Sequence, residues 1–329
     1  MWILKTMYNE LIDTSLSKIA SKVETYKDDK TRSHKKCDYI ELLTLLSSDE
    51  LYLDYFLSRF YSEYSDRNDT LEDEQSQIDD NHQQEIIDLF EILQYRSRLY
   101  GESYPFEVDS NMIKLKDNIS VRNKLYIILL SCANLTTFEK NLQSSLAEEF
   151  EHITYCAIKQ YLPASFNVKK LGSNSDYIGN TRSKLKALGK DINLPTNDEQ
   201  IDGISIHANK EKGVDLVAWY NFVDNIPNTL IFLIQCACGT DTQHKQAEPI
   251  GYDNYFYFNN KPIISLATPK SIVVKENYIK DMNEVSAGNI LFFDRLRLIE
   301  LIVDEDCVSS IKAFQLADRL ISQTISVLD

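Results

Sequence analysis

The sequence predicts an α/β protein: a small mixed sheet flanked by helices, preceded by an all-helical amino-terminal domain. Three observations carry this reading. The first hundred residues contain neither glycine nor proline, whereas eight of the nine glycines follow residue 170. Through the first half, apolar residues recur at i, i+3 and i+4, the spacing of amphipathic helices. After Pro163, short runs rich in β-branched and aromatic residues alternate with glycines and prolines, the texture of strands joined by turns. The division falls at residue 136, giving a helical domain over 1–136 and an α/β domain over 137–329.

Taken in order, residues 39–46 read as a helix, and 50–64 as a second in which Leu51, Tyr55, Leu57 and Phe60 share a face behind a Ser47 or Ser48 cap. A third covers 85–99. Between the last two, eight acidic residues from Asp66 to Glu85 face one arginine, a density that favours a solvated loop or frayed helix end. That segment is either a solubilising loop or an acidic surface for a protein partner. At 104–108 proline and alternation interrupt the helical run, and 120–135 resumes it as an apolar, buried helix. The next helix, 137–162, carries the stripe Leu146, Phe150, Ile153, Ala157 and Tyr161, and Pro163 stops it. Strands are expected at 203–207, 214–220, 229–237, 255–258, 263–267 and 271–274, with 214–220 and 229–237 forming a hairpin. Helices are expected at 181–189, 289–303 and 309–325.

Composition narrows the function. The chain has 329 residues, 43% of them hydrophobic, and a net charge of −15. That acidity repels nucleic acid and anionic membranes at long range, so any nucleic-acid function must be local or assisted by a partner. The most apolar stretches, 125–135 and 230–238, fall far short of the roughly 20 residues needed to span a bilayer. The opening residues lack the charged and apolar regions of a secretory leader, which predicts a cytoplasmic protein. Six scattered cysteines, with no second C-x-C pair to complete a zinc site, read as reduced thiols.

The stretch 212–239 holds the strongest chemical signal. Asp215 interrupts an apolar strand, and Gln235 stands near the end of its partner. A carboxylate buried there without compensation costs several kcal/mol, of the order set by ion desolvation. Either it faces solvent on an antiparallel sheet, or a hard cation such as Mg²⁺ compensates it, with Asp215, the Gln235 side-chain oxygen and the Cys236 carbonyl converging. Upstream, Glu151 lies at the edge of the helical stripe, beside Phe150.

A helical glutamate, then a strand aspartate, then a polar strand residue resembles the PD-(D/E)xK, or restriction-endonuclease-like, nuclease superfamily. Glu151 in EEFEHITYCAIK, Asp215 in GVDLVAW and Gln235 in IQCACG match its three motifs, over about residues 146–245. The resemblance implies Mg²⁺- or Mn²⁺-dependent cleavage of a DNA phosphodiester, in the setting of prokaryotic restriction or antiphage defence. It also implies metal binding by the two acids and Gln235. A lysine two residues after the third motif ordinarily manages the attacking water. This chain has Ala237 there. Lys245 is the first substitute and Lys212 the second; otherwise the domain does not cut and serves as a scaffold or recognition subunit. The helical domain is then the expected docking part for a protein partner.

Three other constellations stand beside this one. Cys236 or Cys238 with His207 or His244 could pair a thiol with a base, although a cysteine in an apolar strand is usually a small buried hydrophobe. Lys169, Lys170, Arg182, Lys184, Lys186 and Lys190 gather between the acidic helix and the first motif strand, as a solvated face or a track for a nucleic-acid backbone. The aromatic run 253–260 fits an edge strand, a partner surface or core packing. No glycine pattern of a nucleotide-phosphate cradle occurs.

Overall fold

The computed structural model describes residues 10, 12–15, 33–61, 72–172, 174–208, 213–224, 226, 229–238, 245, 248–272, 290–309 and 312–322. The chain forms two compact units: Met1–Gln143 with Ser271–Tyr278 and Lys312–Asp329, and Ser144–Lys270 with Ile279–Ile311.

In unit 1, helix α1 (Ser33–Leu46) leads into strand β1 (Leu51–Tyr52) and helix α2 (Leu53–Tyr61). Helix α3 (Glu72–Tyr100), strands β2 (Phe106–Val108) and β3 (Met112–Leu115) and helix α4 (Val121–Ala133) follow. The expected all-helical domain is therefore corrected: a three-stranded antiparallel sheet, order β1-β3-β2, is built into it. Pro105 ends the helical run, and the alternation after it lets Phe106 pair with Leu115 and Val108 with Ile113. Of the two readings of the acidic stretch, the helical one holds from residue 72 onward, because glutamate and glutamine are good helix formers; residues 62–71 lie outside the described residues. Helices α1 and α4 are buried almost all the way round, without a break from Lys36 to Leu46 and from Leu125 to Cys132. Ser120 caps α4 through a reciprocal box with Asn123, which satisfies two of the free N–H groups at its start. The helix Ala313–Ser322 returns to this unit, where Asp318 pairs with Lys124.

Inside unit 1 a charged network is fully enclosed. Arg96, 0% exposed, donates to Asp38 Oδ1 and Glu41 Oε1, each at 2.8 Å. Glu41 also accepts from the Tyr104 and Tyr126 hydroxyls, and Asn134 donates to Asp38. Burial, and then the negative charge of Glu41, pushes the Tyr104 phenol well above its ordinary range, so it stays a donor.

Unit 2 carries a five-stranded mixed sheet. Helix α5 (Lys140–Tyr161), whose residues from Ser144 belong to this unit, is followed by β4 (Phe166–Lys170), α6 (Thr181–Asp191), α7 (Asp198–Gly203), β5 (Leu216–Tyr220) and β6 (Ile231–Cys236). Then come β7 (Ile263–Ala267), β8 (Ile290–Phe293), α8 (Arg295–Leu301) and α9 (Asp306–Ser309). The sheet order is β4-β5-β6-β7-β8. Strands β4, β5 and β6 run antiparallel, including the expected hairpin, whereas β7 and β8 lie parallel to β6. One sheet face, with Val217, Trp219, Ile231 and Leu233, packs on Leu185, Leu188, Ile201, Tyr252 and Phe256. On β4, Lys170 meets His152 and Tyr155 of α5.

Several expected elements differ. Residues 203–207 close α7 and turn, 255–258 contribute only the isolated Phe256–Thr196 bridge, and 271–272 form no strand. Residues 290–293 form β8 and not the start of a helix. A four-residue apolar run has no periodicity to decide the matter, and pairing with β7 decides it. Asp294 then caps α8 by accepting from Arg297 N–H. Strand β4 was not expected, because lysines on a sheet edge hide the apolar alternation while blunting edge-to-edge pairing.

The reading of six reduced thiols is also corrected. Cys156 and Cys307 form a disulfide across 151 residues, with Cα atoms 5.9 Å apart. Gln160 stitches the same helix to that segment, accepting from Val303 and Asp304 N–H. The bond should stabilise unit 2 by about 2–4 kcal/mol. A thiol titration in denaturant should count four thiols before reduction and six after, and Cys307→Ser should lower the urea midpoint.

Candidate functional site

Asp215 sits just before β5 and is held by both neighbouring strands. Its N–H donates to the Ile234 carbonyl at 2.9 Å, and its own carbonyl accepts from Leu171 N–H at 2.7 Å and Gly172 N–H at 3.0 Å. Two consecutive N–H groups on one carbonyl bend the end of β4 in the manner of a bulge. The carboxylate is fixed as well, because Oδ2 accepts from Cys236 N–H at 2.6 Å.

Glu151 approaches the same place from α5. A Cβ added at Gly172 would stand 2.9 Å from Glu151 Oε2 and 3.0 Å from Asp215 Oδ1, so the two acids meet over a residue that has no side chain to separate them. The thiol of Cys236 lies beside them. Desolvation, then Asp215, then Glu151 push its pKa well above the ordinary value, so the Cys236 nucleophile weighed from the sequence is a protonated thiol at neutral pH. His207 is exposed, and His244 lies outside the described residues.

Gln235 stands at the same end of the sheet, one residue beyond the Leu216–Ile234 pair, but alternation puts it on the face of Leu233 and Tyr252, whereas the Cys236 thiol, Glu151 and Asp215 lie toward α5, so the strand does not bring Gln235 to the two acids. Its side chain turns to Glu248, with Nε2 donating to Glu248 Oε2. Its Oε1 is buried and has no hydrogen-bond partner among the described residues. Ala237, where the resemblance places lysine, is 0% exposed and donates its N–H to the Ala267 carbonyl. Lys245 is half-buried, and Lys212 is outside the described residues.

Beside Glu151, His152 holds a defined tautomer. A carbonyl can only accept and an ammonium can only donate. Nε2–H therefore donates to the Cys307 carbonyl at 3.1 Å, and Nδ1 accepts from Lys170 Nζ at 2.9 Å. Burial, and then the Lys170 charge, lowers the His152 pKa, which keeps the ring neutral.

The basic cluster is largely occupied within the unit. Lys169 pairs with Asp191, Lys186 with Asp202, and Lys170 with His152; Lys184 donates to the Leu171 carbonyl and Arg182 to the Ile204 carbonyl. In the aromatic run, Phe256 belongs to the core, with Tyr255 and Phe258 packed against it.

Among the described residues, no group of three His, Cys, Asp or Glu side chains is placed to hold a metal. The donor chemistry still suits a hard cation where the Glu151 and Asp215 carboxylates both border the space over Gly172. Mg²⁺ characteristically takes one or two protein carboxylates and completes its shell with water and phosphate oxygens. The sequence missed Gly172 and Glu248. A glycine directly after a strand is a signal of close approach, but nothing local marks Glu248. No helix among the described residues is long and apolar enough to cross a membrane. No family model, curated protein or solved structure matches the chain.

Proposed function

We propose that unit 2 is a divalent-cation-dependent nuclease that hydrolyses DNA phosphodiesters, as the effector subunit of a prokaryotic restriction or antiphage system. The observation that carries the reading is the meeting of the Glu151 and Asp215 carboxylates over Gly172 at the end of the central strands. A small mixed sheet flanked by helices, with a helical acid and a strand acid brought together, agrees with what the resemblance implies.

Bound Mg²⁺ or Mn²⁺ would supply charge neutralisation at the phosphate and a more acidic water. On the protein side, Asp215 is preorganised by Cys236 N–H and by backbone bonds to both neighbouring strands. Glu151 supplies the second anion. Lys245 stands as the side chain that would orient or deprotonate the attacking water. With most of the 169–190 cations engaged inside the unit, DNA would be delivered by a partner docked on the helical part of the chain.

A second reading, a nuclease-like scaffold that does not cut, is favoured by Ala237, whose enclosed position leaves no room for the ordinary lysine. Supercoiled plasmid incubated with the protein and Mg²⁺ or Mn²⁺ separates the two. The nuclease should nick or linearise it, Asp215→Ala should abolish cutting, and Lys245→Ala should slow it by about 100-fold or more. Intact plasmid with either metal, with and without copurifying proteins, would leave the scaffold.

A further inference from the structure

One face of α5 meets the segment Val303–Cys307 on successive turns. His152, Cys156 and Gln160 are spaced i, i+4 and i+8, which sets them in one row on a helix. His152 Nε2–H donates to the Cys307 carbonyl at 3.1 Å, Cys156 forms the disulfide, and Gln160 binds the start of the segment. The Gln160 amide makes three bonds there. Its Oε1 accepts from Val303 N–H at 2.8 Å and Asp304 N–H at 2.7 Å, and its Nε2 donates to the Asp304 carbonyl at 3.1 Å. Hydrogen bonds thus fasten the same segment that the disulfide fastens.

The surroundings of the two sulfurs suit the dithiol as well as the disulfide. The Cys307 carbonyl stands 3.2 Å from Cys156 Sγ, an acceptor that a thiol can use and a disulfide sulfur cannot. His152 Nε2 lies 3.8 Å from the same sulfur. Because Lys170 donates to Nδ1, an N–H and not a lone pair is the ring group nearest a departing Cys156 thiolate. Cys156 is fully enclosed and Cys307 is half-buried, so a reagent from solvent meets Cys307 first.

We infer that Cys156–Cys307 is a reversible redox site, exchanged with a dithiol reductant while unit 2 stays folded, and that His152 and Gln160 keep its sulfurs within reach of each other when reduced. In the exchange, a thiolate of the reductant attacks Cys307 Sγ, the S–S bond breaks, and its electron pair departs on Cys156 beside His152 N–H. The second thiolate of the reductant then attacks the mixed disulfide and releases Cys307. The two electrons and two protons of the dithiol end on the two cysteines, and the reductant leaves as a disulfide. The site holds whether or not unit 2 cuts DNA.

The test is equilibration of the full-length protein in mixtures of reduced and oxidised dithiothreitol, approached from both directions. Alkylation and mass spectrometry count the Cys156 and Cys307 thiols, and hydrogen exchange follows the Val303 and Asp304 amides in the same samples. The bond should open and re-form without denaturant, reach one equilibrium from either side, and leave both amides protected after reduction. Gln160→Ala should shift that equilibrium toward the dithiol by about tenfold, the scale of losing one or two net hydrogen bonds, because the sulfurs are then held together less closely. A bond that opens only in denaturant is a fixed staple and overturns the inference. So does loss of protection at Val303 and Asp304 on reduction, a Gln160→Ala equilibrium equal to the wild type, or a pair that stays reduced in the most oxidising mixture. Where Gln160→Ala fails to melt cooperatively, the wild-type equilibrium and amides decide alone.

Discussion

Replacing Arg96 with methionine is expected to cost roughly 3–5 kcal/mol of stability, the range for removing one partner from a buried ion pair. Arg96 lies between Asp38 and Glu41, and both carboxylates are almost fully enclosed. Without the guanidinium, two like charges are left in a dry interior, and at least one must take up a proton or draw in water. The Tyr104, Tyr126 and Asn134 donors soften the loss without supplying a positive charge. Adding Glu41→Gln to Arg96→Met should recover part of the cost, since it removes one uncompensated charge and keeps most of the volume. Urea unfolding of the single and double variants measures both effects. A shift below about 1 kcal/mol for Arg96→Met would place the network among ion pairs that contribute almost nothing.

The second large effect concerns the acids, and it separates fold from site. Gly172→Ala should leave the melting temperature nearly unchanged and weaken Mn²⁺ binding by at least about tenfold, an outer-shell-sized loss. The added methyl would stand 2.9 Å from Glu151 Oε2 and 3.0 Å from Asp215 Oδ1. Something must move. Glu151 is the flexible partner, because its carboxylate ends a long side chain, whereas Asp215 is pinned by Cys236 N–H. Swinging Glu151 aside costs little in packing and removes it from the shared point. Unchanged Mn²⁺ affinity in Gly172→Ala would mean that the two acids do not act on one cation.

The legible parts of this chain were those whose signal is local. The stripe that placed Phe150 and Glu151 on one helix, and the apolar runs around Asp215 and Gln235, are periodic patterns, and the helix and the hairpin form where they indicate. The strand β8 and the sheet in unit 1 were not legible. Runs such as Ile290–Phe293 and Met112–Leu115 are too short to carry a period, and only their partners in the sheet select the extended form. The same distinction divides the site. Both acids could be found from their neighbours in sequence, whereas Glu248 meets Gln235, 13 residues away, and Gly213, 35 residues away by numbering, only in the folded chain. The disulfide was missed for the same reason. Cys156 and Cys307 carry no spacing motif, and a separation of 151 residues leaves nothing for a sequence pattern to report.

The interleaving of the two units has a consequence for synthesis. Domains made on the ribosome generally fold in the order in which they emerge. Here the first unit to appear includes Lys312–Asp329, and the second ends at Ile311. The unit begun first is therefore completed after the second, and α4 waits for Lys124 to meet Asp318 until residue 318 has been made. A premature stop near residue 310 would strand the amino-terminal half without its closing helix, so such truncation products should be soluble only while a chaperone holds them.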